Sequence, residues 1–277
     1  MSSQNTMKAI QISEFGGPEV CKYVDVPIPE YGEDQVLVKI AVTGINYLDI
    51  YTREGVRGGP LPFILGSEGA GKIAAIGGNV GNIKIGDRVV FRGSTTGTYA
   101  EYATVPAWLI YPIPNDIKAD EATSIHLQGM TAHYLANDVF PLSNNHTCLI
   151  HAGAGGVGHQ LIQLAKEKGA RVLTTTSSQK KAETIKKFGA DDVILYREQD
   201  FTAAVLTLTN GDGVDVVFDS VGKTTIEGSI NCTKFLGTVA LFGDASGVMP
   251  PLETRILAKN CIKLTRVSLM PFVANHQ

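Results

Sequence analysis

Between Gly153 and Gly158 the chain reads Gly-Ala-Gly-Gly-Val-Gly, directly after the apolar run Thr147–Ala152 and directly before an amphipathic stretch that begins at His159. Gly153, Gly155 and Gly158 fit G-x-G-x-x-G, a spacing that lets backbone approach a pyrophosphate at a helix N-terminus. In a chain with 30 glycines the string alone is weak. Its setting favours a dinucleotide over a plain β–α turn: buried strand before, helix after, second buried strand beyond. The end of that second strand, Thr174-Thr175-Thr176-Ser177-Ser178-Gln179-Lys180-Lys181, decides which dinucleotide. NAD enzymes place Asp or Glu there to accept from the ribose 2′-OH, and here the first acid is Glu183, inside the next helix. Hydroxyls, a helix N-terminus and two lysines suit a 2′-phosphate, so NADPH is the expected cofactor. The plainer alternative makes Lys180 and Lys181 a solvated helix face.

Other residue types with chemistry give less. His126, His133 and His151 read as core or junction residues, and Trp108 as a packing residue. Cysteines 21, 148, 232 and 261 form no C-x-x-C pair and are expected as reduced thiols, with Cys148 and Cys261 in apolar stretches that read as buried strands. The N-terminal residues have no apolar signal core. The longest uncharged stretch, Val139–Ala165, is broken by Pro141 and closely spaced glycines, which argues against a membrane span. A reducing cytosol is the expected compartment.

The elements that must position these residues follow from patterning. With 277 residues, 44% hydrophobic and 18% charged, and a net charge of −3, the chain suits two folded domains and lacks the basic excess of a nucleic-acid binder. Short segments with alternating or β-branched residues (Lys8–Ile12, Cys21–Val26, Gln35–Val42, Lys72–Ile76, Arg88–Phe91, Thr98–Val105) predict a compact, barrel-like antiparallel first domain. A helix is expected over Ala119–Phe140. Strands at 147–152, 171–176, 192–195, 214–219, 238–242 and 262–266 then alternate with helices near 156–168, 179–188, 201–209, 224–233 and 251–260. That alternation predicts a doubly wound parallel sheet with the six strands of a dinucleotide-binding fold.

Met7–Val20, Gly44–Gly55 with its Asn46-Tyr47-Leu48-Asp49-Ile50-Tyr51, Leu65–Ile73, Gly86–Phe91, Leu127–Leu135, the glycine loop, Phe188–Phe201, Val214–Gly222 and Leu241–Gly247 are collinear with one family. On these motifs the chain resembles the zinc-free quinone oxidoreductases, the zeta-crystallin-like branch of the medium-chain dehydrogenases/reductases. The resemblance implies an α/β protein: a GroES-like β-rich barrel catalytic domain over residues 1–124 and a Rossmann NADP(H)-binding domain over 125–277. It implies an NADPH:quinone oxidoreductase that reduces quinones or α,β-unsaturated carbonyls by hydride transfer, as a homodimer. Two other readings stand beside it, an enoyl-thioester reductase and a non-catalytic NADPH-binding protein.

Residue roles carry over by resemblance. Asn46, Asp49 and Tyr51 are the catalytic candidates, with Tyr51 best suited to orient a carbonyl. Tyr47 lines the nicotinamide pocket and Thr131 touches the cofactor at the domain junction. Gly155, Gly156, Val157 and Gly158 hold the pyrophosphate, Ser177 and Lys181 the 2′-phosphate, and Tyr196 the adenosine end. Phe242, Gly243, Ser246 and Ser268 lie on the nicotinamide side. The packed-face reading of Tyr47 and Tyr51 and the turn-holding reading of Asp49 remain alternatives. No metal is expected: where zinc relatives have Cys and a His-Glu pair, this chain has Asn46 and Ser67-Glu68. Two departures stand out. Val267 replaces a family proline, and family members continue past Gln277, which leads to the expectation of a catalytic domain lacking part of its sheet.

Overall fold

The computed structural model describes residues 6–274, which divide between Leu127 and Gln128 into two compact units. The first unit carries β1 (Thr6–Ile12), β2 (Lys22–Pro27), β3 (Gln35–Thr43), the short helix α1 (Tyr47–Arg53), β4 (Phe63–Ile64), β5 (Glu68–Ile76), β6 (Arg88–Arg92), β7 (Tyr102–Pro106) and β8 (Ile110–Pro112). Its strands make two antiparallel sheets, ordered β2-β1-β4 and β7-β3-β5-β6-β8. Among the described residues no pairing joins β7 to β8, while Ala9 of β1 bridges Ala100 just ahead of β7 and so links the two sheets of the expected barrel-like domain. Thr98–Glu101, expected as strand, precede β7 as a bend and an isolated bridge: Gly97 turns the chain at φ 83°, the Thr98 and Tyr99 amides both donate to the Leu65 carbonyl, and Ala100 bridges Ala9 of β1.

Helix α2 (Ala119–Tyr134) contains the boundary between the units and ends in a π turn over Leu135–Val139. There follow β9 (Thr147–Ile150), α3 (Gly156–Glu167), β10 (Arg171–Thr176), α4 (Gln179–Lys187), β11 (Asp192–Leu195), α5 (Phe201–Leu208), β12 (Val214–Asp219), α6 (Ile226–Asn231), β13 (Thr233–Leu241), β14 (Lys263–Arg266) and α7 (Leu269–Ala274). All six strands pair in parallel, in the order β11-β10-β9-β12-β13-β14. Numbered from the first strand that order is 3-2-1-4-5-6, the doubly wound arrangement whose crevice lies beyond the carboxyl ends of its two central strands, here β9 and β12. Every residue of β12 is buried, as a central parallel strand covered on both faces requires.

Three segments of the second unit depart from expectation. β13 begins five residues early, bulges through Leu236 at φ 60°, and leaves Phe235 and Leu236 exposed. The helix expected over 251–260 is a 3₁₀ segment over Thr254–Asn260, whose Ile256 and Leu257 pack onto the sheet core. Cys261 is exposed in a left-handed turn closing that segment, whereas Cys148 is buried.

Candidate active site

In the first unit, α1 starts at Asn46, whose extended backbone (φ −123°) turns the chain off β3. The Asn46 amide donates to Asp49 Oδ2 at 2.8 Å, and Tyr99 donates its phenol proton to the same oxygen at 2.8 Å. The Asn46 side chain donates from Nδ2 to Glu68 Oε1 at 2.7 Å, and the Leu127 amide donates to Glu68 Oε2 at 3.1 Å. Asn46, Asp49 and Glu68 are all buried. Glu68 lies against Gly44, where a Cβ would come within 2.2 Å of Oε1. Burial raises the Glu68 carboxyl above the usual carboxylate range, against the opposing bonds from Asn46 and Leu127. Burial and the neighbouring Asp49 push the Tyr99 phenol up as well.

Ser67 Oγ and His126 Nε2 are buried without a hydrogen-bond partner among the described residues. The His126 ring packs 5.2 Å from Tyr111, and burial, aided by the Arg92 charge, lowers its pKa to about 4. Tyr47 and Tyr51, one turn apart on α1, pack with ring centroids 5.2 Å apart, and the Arg57 guanidinium lies 6.0 Å from the Tyr51 ring. A cavity of about 640 Å³ is lined by Leu48, Asp49, Thr52, Arg57, Ser67 and Thr96, among others.

This donor set does not fit zinc. The amide nitrogen of Asn46 points at a carboxylate, and both carboxylates are occupied as acceptors from protein donors. Among the described residues no group of three His, Cys, Asp or Glu side chains converges as metal ligands would.

In the second unit the glycine loop joins β9 to α3. Gly155, the N-cap of α3, offers no capping side chain, so the first-turn amides have neither a side-chain cap nor an intrahelical acceptor. A Cβ at Gly158 would sit 2.4 Å from the Ala152 carbonyl oxygen and 2.8 Å from Gly153 Cα, so only glycine lets helix and strand approach this closely. The Gln128 side chain occupies the space where a Cβ on Gly156 would stand. These features fit a pyrophosphate at the helix N-terminus.

The hydroxyls of β10 point elsewhere. Thr174, Thr175 and Thr176 are buried, and Thr174 donates to the Ile150 carbonyl at 2.7 Å. Ser177, the α4 N-cap Ser178, and exposed Lys180 and Lys181 therefore form the polar corner. No ion pair engages either lysine among the described residues. Tyr196, half exposed, follows β11 and its amide donates to the Thr176 carbonyl at 3.2 Å.

The turn after β13 is braced to the turn after β12. Ser246 Oγ donates to the Val221 carbonyl at 2.8 Å and accepts from the Thr224 amide at 3.0 Å, so this hydroxyl ties two loops together. The Phe242 amide donates to the Asp219 carbonyl, and Gly243 packs on Ser220. The Arg266 guanidinium grips Asp244 with both terminal nitrogens. Ser268 is exposed just before α7, whose Phe272 stacks on Tyr134 at 4.3 Å; Thr131 is buried one turn earlier in α2. Sequence reasoning missed Tyr99, Gln128, Ser229 and Asp219 as contributors. Gln128 and Asp219 had a signal, their places in the Leu127–Leu135 and Val214–Gly222 motifs; the others are joined to their partners only by the fold.

A two-unit α/β protein with a GroES-type antiparallel sheet and a six-stranded dinucleotide-type sheet is the class these features define. Residues 32–115 match the family described as alcohol dehydrogenase GroES-like domain, and residues 156–275 that described as zinc-binding dehydrogenase. A probable quinone oxidoreductase of Schizosaccharomyces pombe is 36% identical over 96% of this chain and 80% of its own. A 2-haloacrylate reductase of Burkholderia is 34% identical over 96% of this chain and 83% of its own. A mycobacterial protein solved with NADPH superimposes with a TM-score of 0.92 at 44% identity, covering 97% of this chain and 83% of that one. The chain belongs to the quinone oxidoreductase family of the medium-chain dehydrogenases/reductases.

Proposed function

We propose that this protein reduces quinones or α,β-unsaturated carbonyls with NADPH. The observation that carries the cofactor choice is the corner at the end of β10, where Ser177, Ser178, Lys180 and Lys181 stand without an acid. A 2′-phosphate gains charge-assisted bonds there, while a bare 2′-OH lacks its usual acceptor. The relative solved with NADPH supports the same choice. Gly155, Gly156, Val157 and Gly158 take the pyrophosphate, Tyr196 packs at the adenosine end, and Tyr47, Thr131, Phe242, Gly243, Ser246 and Ser268 serve the nicotinamide side.

NADPH, when bound, supplies the hydride. The protein's own task is to hold the acceptor and exclude water, because a quinone or activated enone already has an electrophilic carbon and needs only a proton afterwards. Tyr51 donates a hydrogen bond to the acceptor carbonyl. Asn46 and Asp49 fix the start of α1 and so the direction of both tyrosines. The 2-haloacrylate reductase among the relatives favours keeping activated alkenes within the substrate class. The homodimer would extend the six-stranded sheet through its edge strand β14, which light scattering tests.

Titration of NADPH and NADH, followed by turnover with 1,4-benzoquinone, an alkenal and an enoyl thioester, tests the reading. NADPH binding with quinone or alkenal turnover is expected. Thermal stabilisation by NADPH with no turnover on any acceptor would leave a binding protein instead.

A further inference from the structure

Ala152, the residue that opens the glycine loop, has left-handed backbone at φ 53° although it is not glycine. That conformation costs an alanine about 1 kcal/mol, so other contacts must hold it. Its carbonyl accepts from the Gly155 amide at 2.8 Å and is the atom against which Gly158 packs. Its amide donates to Thr175 Oγ1 at 3.2 Å. Thr175 Oγ1 lies 3.0 Å from His151 Nδ1, His151 Nε2 lies 3.0 Å from Ser229 Oγ, and Ser229 donates to Asp219 Oδ2 at 2.8 Å. All four of these side chains are buried.

The chain of bonds has one proton order. An Asp219 carboxylate can only accept, so the single Ser229 proton is committed to it. Ser229 Oγ must then accept from His151, which places the imidazole proton on Nε2 and leaves Nδ1 bare. Nδ1 accepts the Thr175 proton, and the Thr175 oxygen is left to accept the Ala152 amide. We propose that His151 is a positioning residue for the dinucleotide: held as its Nε2–H tautomer by Ser229 and Asp219, it fixes Ala152, through Thr175, in the conformation that opens the glycine loop. This rests on the reading of that loop as the NADPH site.

Two further observations fit. Asp219 Oδ1 accepts from the Val221 and Gly222 amides at 2.8 and 3.0 Å and from the Thr225 hydroxyl at 2.9 Å, so the same carboxylate shapes the turn after β12. One buried relay therefore spans the carboxyl ends of β9 and β12, where this fold binds its ligand. The Phe201 ring meets the imidazole edge-on at 4.8 Å, and burial disfavours a second proton on it despite the attraction of Asp219.

Thr175→Val removes the hydroxyl at nearly constant shape. It should raise the Kd for NADPH about tenfold, the loss of roughly one buried hydrogen bond, while kcat at saturating NADPH falls far less. Thr175→Ser, which keeps the hydroxyl, should restore the wild-type Kd. Nitrogen NMR of the imidazole in the wild-type protein, which needs no variant to fold, should show Nε2 protonated and Nδ1 bare. A wild-type protein that fails to bind NADPH would remove the functional reading, and the imidazole spectrum would then decide the relay. Unchanged NADPH binding by Thr175→Val, a Thr175→Ser variant as weak as Thr175→Val, or a proton on Nδ1 overturns the relay.

Discussion

The side-chain amide of Asn46 reaches Glu68 Oε1 at 2.7 Å, joining the start of α1 to the first residue of β5 inside the core. A buried carboxylate without donors is costly, and this bond together with the Leu127 amide makes the Glu68 position tolerable. Asn46→Ala removes one of the two donors and should destabilise the protein by about 2 kcal/mol in urea unfolding. Asn46→Asp should cost more at neutral pH, because a second carboxylate would face the first. An Asn46→Asp variant as stable as wild type would show that this bond does not hold the corner.

The polar corner after β10 makes a prediction about cofactor choice. Ser177→Asp places an acceptor where a ribose 2′-OH would need one and repels a 2′-phosphate, and Lys181→Glu removes an attractive charge. Each should lower the preference for NADPH over NADH, Ser177→Asp by about tenfold or more, measured as the ratio of the two dissociation constants. An unchanged ratio in both variants would place the 2′-phosphate elsewhere.

What the sequence made legible divides along the same physical lines. Strands β10, β11 and β12 have the expected limits: short runs rich in β-branched and apolar residues mark all three, and β12 is buried throughout as a central parallel strand should be. β13 does not: Lys234, Phe235 and Leu236 include two exposed apolar residues, and the bulge that explains them depends on pairing Thr233 with Val214. In the first unit the strands were legible, whereas their partition into two sheets depends on long-range pairing. The glycine loop was readable because its chemistry is local. The Asn46–Glu68–Leu127 and His151–Ser229–Asp219 groups were not, because their members lie far apart in the chain and meet only through the fold.

Glycines in the loop should differ sharply from one another. Gly158→Ala forces a Cβ to within 2.4 Å of backbone at Ala152, which cannot yield without moving the strand. At Gly155 the nearest atom to an added Cβ is 3.1 Å away, and its φ of −78° suits any residue. Gly158→Ala should therefore lower the urea midpoint by an amount equivalent to roughly 1–3 kcal/mol, while Gly155→Ala stays within about 1 kcal/mol of wild type. Equal losses would mean that helix–strand approach is not what selects Gly158.

His126 makes the fold sensitive to acid. Its pKa falls from 6.5 to about 4 on folding because burial and the Arg92 charge disfavour the imidazolium. The unfolded chain therefore binds one more proton than the folded one inside that window. The His126 contribution is fully present above 6.5 and is lost as pH falls toward about 4, at roughly 1.4 kcal/mol per pH unit. His151 has the same sign, its pKa also being lowered, whereas Glu68, with its pKa raised, works in the opposite sense as its carboxyl takes up a proton. A comparison between wild type and His126→Phe separates them: phenylalanine fills the ring's space, and among the described residues Nε2 has no hydrogen bond to lose. The stability of the variant should fall less steeply with acid than that of wild type across the window. Parallel profiles would show that the His126 imidazole takes up its proton as readily in the folded protein as in the unfolded chain.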